Sequence, residues 1–448
     1  MKKNQIIAVA VAVMLVAVCA IGVIMFMNND NEGNSESGIL LSYGKYDNEW
    51  VEMDTEGLTV NDAFNEALGS DTLGTNEPDP SEWTLWTASG NAKDWTKNTT
   101  GDWNTMKVRD FRVIAFSETD EKPILPTDQT GVSLFSMMGP KERIVSLSAS
   151  ITEKIDAVGL TSKIVGTDSY SDYPQEILDR RATGYTGPNP IASLGSYWGV
   201  LNFEGIVNTN PDIVIADVDA TGQSDIITKL RAAGITVLGV TSHKGTVEEV
   251  CESIYTMGFV MGKASEAKAA AEEIEYKVGL LSDYMTAYLE NNNITNNSVL
   301  FVMPPYDNEY YVAAQQTTMT SMLSALGLTN VISENVGWMT YNKEMLIEKD
   351  PNIVIVMGTY DAYNLMELND PGQLGAINAV QEGKVCEFVN MADSVLSRPG
   401  PRIVDAMAMI CFLMAENDWT DTDNQWYRFD NDYSTHIAEL WGKVIPIV

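Results

Sequence analysis

WGVLNFEGIVNTNPDIVIA, residues 198–216, returns 140 positions later as WMTYNKEMLIEKDPNIVIV, residues 338–356. Seven of the 19 aligned positions are identical: Trp198/Trp338, Asn202/Asn342, Glu204/Glu344, Pro211/Pro351, Ile213/Ile353, Val214/Val354 and Ile215/Ile355. Random pairing gives about one. Each copy reads as a short helix followed by a buried strand. Asn202 and Asn342 are N-cap candidates, and the helices must end before Pro211 and Pro351. Glu204 and Glu344 then fall in the first turn, pointing outward, with each Trp in the loop just upstream. The duplication implies two lobes related by a pseudo-twofold axis.

Working outward, short apolar runs alternate with helical patterns on both sides of the repeat. Ile144–Leu147, Ile164–Gly166, Ile213–Ala216 and Val237–Val240 are expected strands of the first lobe. Val299–Met303, Ile353–Met357 and Val385–Val389 serve the second. Such alternation predicts doubly wound α/β lobes with helices on both sheet faces. Ser150–Val158 reads as a helix, with Ser150 and Glu153 spaced as a capping box. Ala264–Leu289 is rich in Ala and Glu and free of Pro. Ala270, Ile274, Val278, Leu281 and Met285 recur at helical spacing, giving one rigid spinal helix between the lobes.

The N-terminal part is different. Lys2 and Lys3 precede Ile6–Met27, 22 residues without a charge. At 1.5 Å per residue this run spans about 33 Å, enough for a bilayer core. The positive-inside rule places the remaining chain outside the cytoplasm. The segment is a signal peptide or a retained anchor. A lipid on Cys19 is a third route, opposed by Val18 where a small residue is usual. Residues 28–38 are polar and read as a tether. Residues 39–120 hold five of the ten Trp. Val60–Leu68 has helical spacing, with Asn61 or Thr59 as cap, and Phe111–Phe116 alternates like a strand. A small α+β domain fits, followed by a Pro-containing linker over 121–142. The lobes then occupy 143–263 and 293–448, with the spine over 264–292.

Composition excludes several roles. The 28 Lys+Arg against 62 Asp+Glu give a net charge of −34, opposed to binding nucleic-acid backbones. Two His and four Cys supply no HExxH or CxxC zinc motif. The four Cys are too scattered for a disulfide framework, though Cys251, Cys386 and Cys411 leave one bridge open. An enzyme on a doubly wound fold is a less favoured reading, since familiar motifs are missing. GxGxxG and GxSxG are missing, and GFVMGKA at 258–264 is one residue short of a phosphate-binding loop. His243 and His436 stand near no nucleophile motif. The competing role is a surface interaction protein whose Trp-rich region binds the partner.

Two resemblances follow from these motifs. GLTVNDAFNEAL at 57–68 with its spaced Trp resembles the small C-terminal domain of transcobalamin-type proteins. RIVSLSASITEKIDAVGLTSKIVGTDSYSDYP at 143–174 resembles the opening of class III (helical-spine) periplasmic substrate-binding proteins of ABC importers. The N-x-E repeat, the long helix and SRPGPR at 397–402 follow in that family's order, over about 143–415. Ala149 departs from the family's Pro, and one residue is inserted between Asp393 and Arg398. SYSDYP and the Trp before N-x-E are most similar to the cobalamin-binding member.

The resemblance implies capture without catalysis, by a monomer needing no cofactor. The ligand would be a corrinoid, with a ferric siderophore or haem as the alternative. It would be delivered to a permease dimer through Glu204 and Glu344. The ligand contacts it implies are Ser148, Tyr170, Tyr173, Tyr185, Trp198, Tyr306, Tyr310, Trp338, Asp393 and Arg398. The location would be the extracytoplasmic face of the membrane, through residues 6–27.

Overall fold

The structure, a computed structural model, describes residues 37–69, 79–220, 222–241, 245–303, 309–358, 374–419 and 427–445. The apolar run 6–27 with Cys19, His243 and Tyr306 lie outside the described residues. The chain divides into two compact units. One runs to Met138 and includes Ile227–Leu238; the other comprises Gly139–Ile226 and Gly239–Val448.

The first unit carries a five-stranded mixed sheet. Its strands are β1 (Gly38–Gly44), β2 (Asp47–Glu52), β3 (Thr84–Ala88), β4 (Thr96–Asn98) and β5 (Val113–Ser117), in the order β2-β1-β5-β3-β4. Helix α1 (Val60–Gly69) starts at Thr59, whose Oγ1 accepts the Asp62 N–H at 3.0 Å while the Asp62 carboxylate accepts the Thr59 N–H at 3.0 Å. That reciprocal cap selects Thr59 over Asn61. Phe64 on α1 meets Trp83, Trp103 and Phe116 edge to face, so much of the Trp content builds a core. The stretch expected as a linker is folded instead. Ile124, Leu134 and Phe135 are buried, Phe135 stacks on Trp50 at 4.1 Å, and the Asp128 carboxylate caps a turn at Thr130 and Val132. Apolar side chains between the prolines give this segment a core to join.

The second unit contains the second lobe, and the first lobe apart from Ile227–Leu238. The sheet of the first lobe uses β6 (Ile144–Ser146), β7 (Ile164–Thr167), β8 (Ala192–Ser193), β9 (Ile213–Asp217) and β10 (Val237–Val240), ordered β10-β9-β6-β7-β8. Strands β6 to β9 pair in parallel. The second lobe has a mixed sheet of β11 (Ser298–Val302), β12 (Tyr310–Ala313), β13 (Thr329–Asn330), β14 (Trp338–Tyr341), β15 (Ile353–Met357), β16 (Val385–Phe388) and β17 (Tyr427–Phe429). Strands β11, β15, β16 and β17 are parallel, while β12 and β14 form an antiparallel ribbon at one edge. This ribbon places Trp338 on a strand rather than in the expected loop.

Between the lobes runs the spinal helix, 28 residues from Ala264 to Asn291, about 42 Å long. Its buried face is Ala267, Ala271, Ile274, Leu281 and Met285. That face is turned slightly from the expected one, since Ala270 and Val278 are only half-buried. The small residues let the preceding helix, Val247–Val260, pack along it. Cys251, Cys386 and Cys411 are buried, and no disulfide joins them.

Helix α2 (Ala149–Ala157) lies against the first-lobe sheet with Lys154 wholly enclosed. Burial brings its ammonium down to about 8, against the pull of Asp217 and Glu153. The folded state then releases this proton near pH 8, whereas the unfolded chain holds it to about 10.5. Between those values the unfolded state binds more protons, so stability rises with pH, by about 3 kcal/mol at most. Denaturant titrations from pH 7.5 to 10 should reveal this rise in the wild type and its loss in Lys154→Met.

Candidate functional site

The two copies of the repeat fold alike. Helices α3 (Phe203–Asn208) and α4 (Lys343–Lys349) are short, and each begins at the expected Asn. The Asn202 side-chain oxygen accepts the Gly205 N–H at 2.9 Å, and that of Asn342 accepts the Met345 N–H at 2.9 Å. Glu204 and Glu344 occupy the second helical position of each, exposed. Apolar side chains stand exposed beside both. Trp198, Val200 and Val207 flank Glu204 in sequence, and Val336 and Met345 flank Glu344. Val207 shares a helix face with Glu204 at i, i+3.

The carboxyl ends of the first-lobe strands meet in a buried polar network. Thr152 Oγ1 donates to Ser146 Oγ at 2.8 Å and lies 2.8 Å from Ser171 Oγ, which donates to Asp168 Oδ1 at 2.6 Å. Burial raises Asp168, opposed by the Ser171 hydroxyl and the Tyr170 N–H. Tyr197 donates to Asp217 Oδ2 at 2.7 Å, and burial beside that carboxylate pushes its phenol far up. In open α/β sheets this edge is where ligands bind.

Across from it, helices Asn390–Ser397 and Ile403–Ala415 frame the turn that carries Arg398 and Arg402. Arg402 Nε and Nη2 donate to the two oxygens of Glu153 at 3.0 and 2.6 Å. Arg398 binds Asp172 in a fork, Nη1 to Oδ1 at 2.5 Å and Nη2 to Oδ2 at 3.1 Å. It also donates to Glu153 at 3.3 Å and to the Tyr170 carbonyl at 3.2 Å. The Arg402 guanidinium lies over the Tyr173 ring, 4.0 Å from its centroid. Gly400 passes so close that a methyl group there would sit 3.1 Å from Glu153 Oε2. Two guanidinium groups of the second lobe are thus matched by two carboxylates of the first.

This arrangement sorts the residues expected to contact ligand. Tyr170, Tyr173 and Arg398 come together at the junction of the lobes. Ser148 is buried at the start of α2, its hydroxyl 2.9 Å from Ser150 Oγ. The Ser150–Glu153 capping box does not form, because Ser150 lies inside the helix and Glu153 reaches across to the arginines. Trp198 is 67% exposed on a turn, edge-on to Tyr197 at 4.8 Å. Trp338 is half-buried on β14 and Asp393 is buried. Tyr185 donates to the Pro188 carbonyl at 3.1 Å within its own loop. Tyr310 must be corrected. It is 2% exposed in the second-lobe core with Tyr341, its partner on β14. Tyr311, the next residue, takes the solvent side because strand side chains alternate. Glu153, Asp172 and Arg402 were not among the expected contacts; their pairing spans more than 220 residues and leaves no local pattern.

Residues 144–389 match the family described as periplasmic binding protein. A curated relative in Bacillus subtilis, an uncharacterized ABC transporter substrate-binding lipoprotein, is 25% identical over 69% of this chain and 89% of its own. A vitamin B12-binding protein of Vibrio cholerae is 27% identical over 62% of this chain and 91% of its own. Among solved structures, a possible iron-binding protein of Staphylococcus epidermidis superposes with a TM-score of 0.52 at 22% identity, covering 62% of this chain and 100% of the other. A haem-binding protein of Roseiflexus gives 0.51 at 24%, covering 62% and 99%. Both likenesses concern the fold.

Proposed function

The chain belongs to the periplasmic binding protein family, and from that premise we propose that it is the substrate-binding component of an ABC importer, capturing a corrinoid outside the cell membrane. The observation that carries the ligand reading is the pair of indoles, Trp198 and Trp338, one from each lobe and at matching places in the repeated sequence, the first on a turn and the second on β14. Indoles suit the faces of a large planar macrocycle, and Tyr170 and the nearby carboxylates suit amides at its rim. Relatives named as vitamin B12-binding proteins support this ligand. A ferric siderophore or haem is the second reading, favoured by the folds of iron- and haem-binding proteins. The role is capture and delivery, with no catalytic step.

Delivery would run through Glu204 and Glu344 to a twofold permease dimer, each carboxylate close in sequence to exposed apolar side chains. Residues 6–27 would hold the protein at the membrane. Titration calorimetry with cobalamin, haem and a ferric hydroxamate tests the ligand. Trp198→Ala should weaken cobalamin binding about 5- to 150-fold, the loss of one large aromatic contact of about 1–3 kcal/mol. Tight binding of either iron ligand with no heat from cobalamin would refute the corrinoid while leaving the importer role intact.

A further inference from the structure

We propose that Asp172 sets the charge selectivity of the ligand cleft by occupying Arg398, so that a macrocycle with a neutral amide rim is taken and one with a carboxylate rim is turned away. The proposal rests on reading the second unit as a macrocycle-binding protein, and it addresses which class of macrocycle that protein prefers.

Arg402 is committed to Glu153, whose side chain is 2% exposed and cannot be moved aside. Arg181 donates to the Asp168 carbonyl at 2.8 Å, with the Asp168 carboxylate buried in the same loop. Arg398, expected among the ligand contacts, has both ends of its fork filled by Asp172. A bidentate guanidinium–carboxylate pair satisfies the geometry a ligand carboxylate would need. The site therefore contains its own anion.

The two carboxylates on Arg398 differ in freedom. Glu153 is enclosed, whereas the Asp172 side chain is 32% exposed, on the loop that follows β7. Asp172 is thus the group an incoming anion would have to displace. Once displaced, it would remain beside the ligand, together with Asp168 and Asp217 at the same strand edge. A neutral amide meets no such opposition, because its N–H groups can donate to Asp172 where it stands. Asp172 acts through Arg398, so it is a positioning residue, and its signature is a ratio of affinities rather than an affinity.

The test uses two pairs of probes that differ in charge at nearly constant shape. One pair is cobalamin and a cobalamin monocarboxylate, in which one side-chain amide has been hydrolysed. The other is haem and its dimethyl ester. Affinities for the full chain are measured by quenching of Trp fluorescence. In the wild type the neutral member of whichever pair binds should be favoured by about tenfold or more. Asp172→Asn should bring that ratio to one or below, and Asp172→Glu should keep it. A ratio taken within one variant is insensitive to the fraction folded. Equal affinities in the wild type, or a ratio unchanged by Asp172→Asn, would overturn the proposal. A preference confined to the haem pair, with neither corrinoid bound, would uphold the charge rule and refute the corrinoid ligand.

Discussion

Glu153→Gln is expected to destabilise the second unit by about 3–5 kcal/mol, the cost of leaving a buried ion pair with one partner. Glu153 is 2% exposed and accepts from both Arg402 and Arg398. The amide that replaces it keeps the volume and loses the charge. Arg402 would then be held over Tyr173, with the Met391 sulfur as a further acceptor and no carboxylate of Glu153 to balance it. Urea titration should show a lower midpoint at unchanged slope, since the surface exposed on unfolding is the same. A loss under 1 kcal/mol would mean that the pair contributes no more than an exposed one. Substituting Asp172 should cost less, because its partly exposed side chain can be replaced by water.

The second large effect concerns transport. Glu204→Arg and Glu344→Arg together should abolish uptake by cells carrying the importer, while calorimetry finds ligand affinity within about twofold of the wild type. Each side chain is exposed at the second position of its helix, so reversal should leave the fold intact. Reversing a charge that meets an opposite charge across an interface typically costs about 2–5 kcal/mol per site. Single variants should fall between. Normal uptake by the double variant would reduce both residues to helix-end charges that complement the dipole.

What could be read in the sequence was local. Val237–Val240 and Ile353–Met357 match the structure end for end, since each is a short apolar run bounded by turn residues or helix ends. Asn202 and Asn342 cap as expected because an N-cap needs only its own helix. Two of the misses share one cause, which is that a local pattern can serve two geometries. Ser150 and Glu153 are spaced as a capping box, yet Glu153 pairs with Arg402, 249 residues away. Tyr310 and Tyr311 are neighbours of equal character, and only the register with Tyr341 and Thr340 decides which faces the core. The three residues of β17 are too few to carry a period, so the pairing of Glu387 with Arg428 could not be anticipated.

The spinal helix carries a consequence for how cargo changes hands. A 28-residue helix packed along the Val247–Val260 and Ile403–Ala415 helices resists bending like a short rod. If Glu204 and Glu344 dock as proposed, the interval between them would be a dimension of the protein, the same whether the cleft is loaded or empty. The molecule would then serve as a caliper with set jaws. A transporter that received it could not close it further, so the compliance needed for release would come from the transporter's own halves, spreading or drawing together until they fit the gauge.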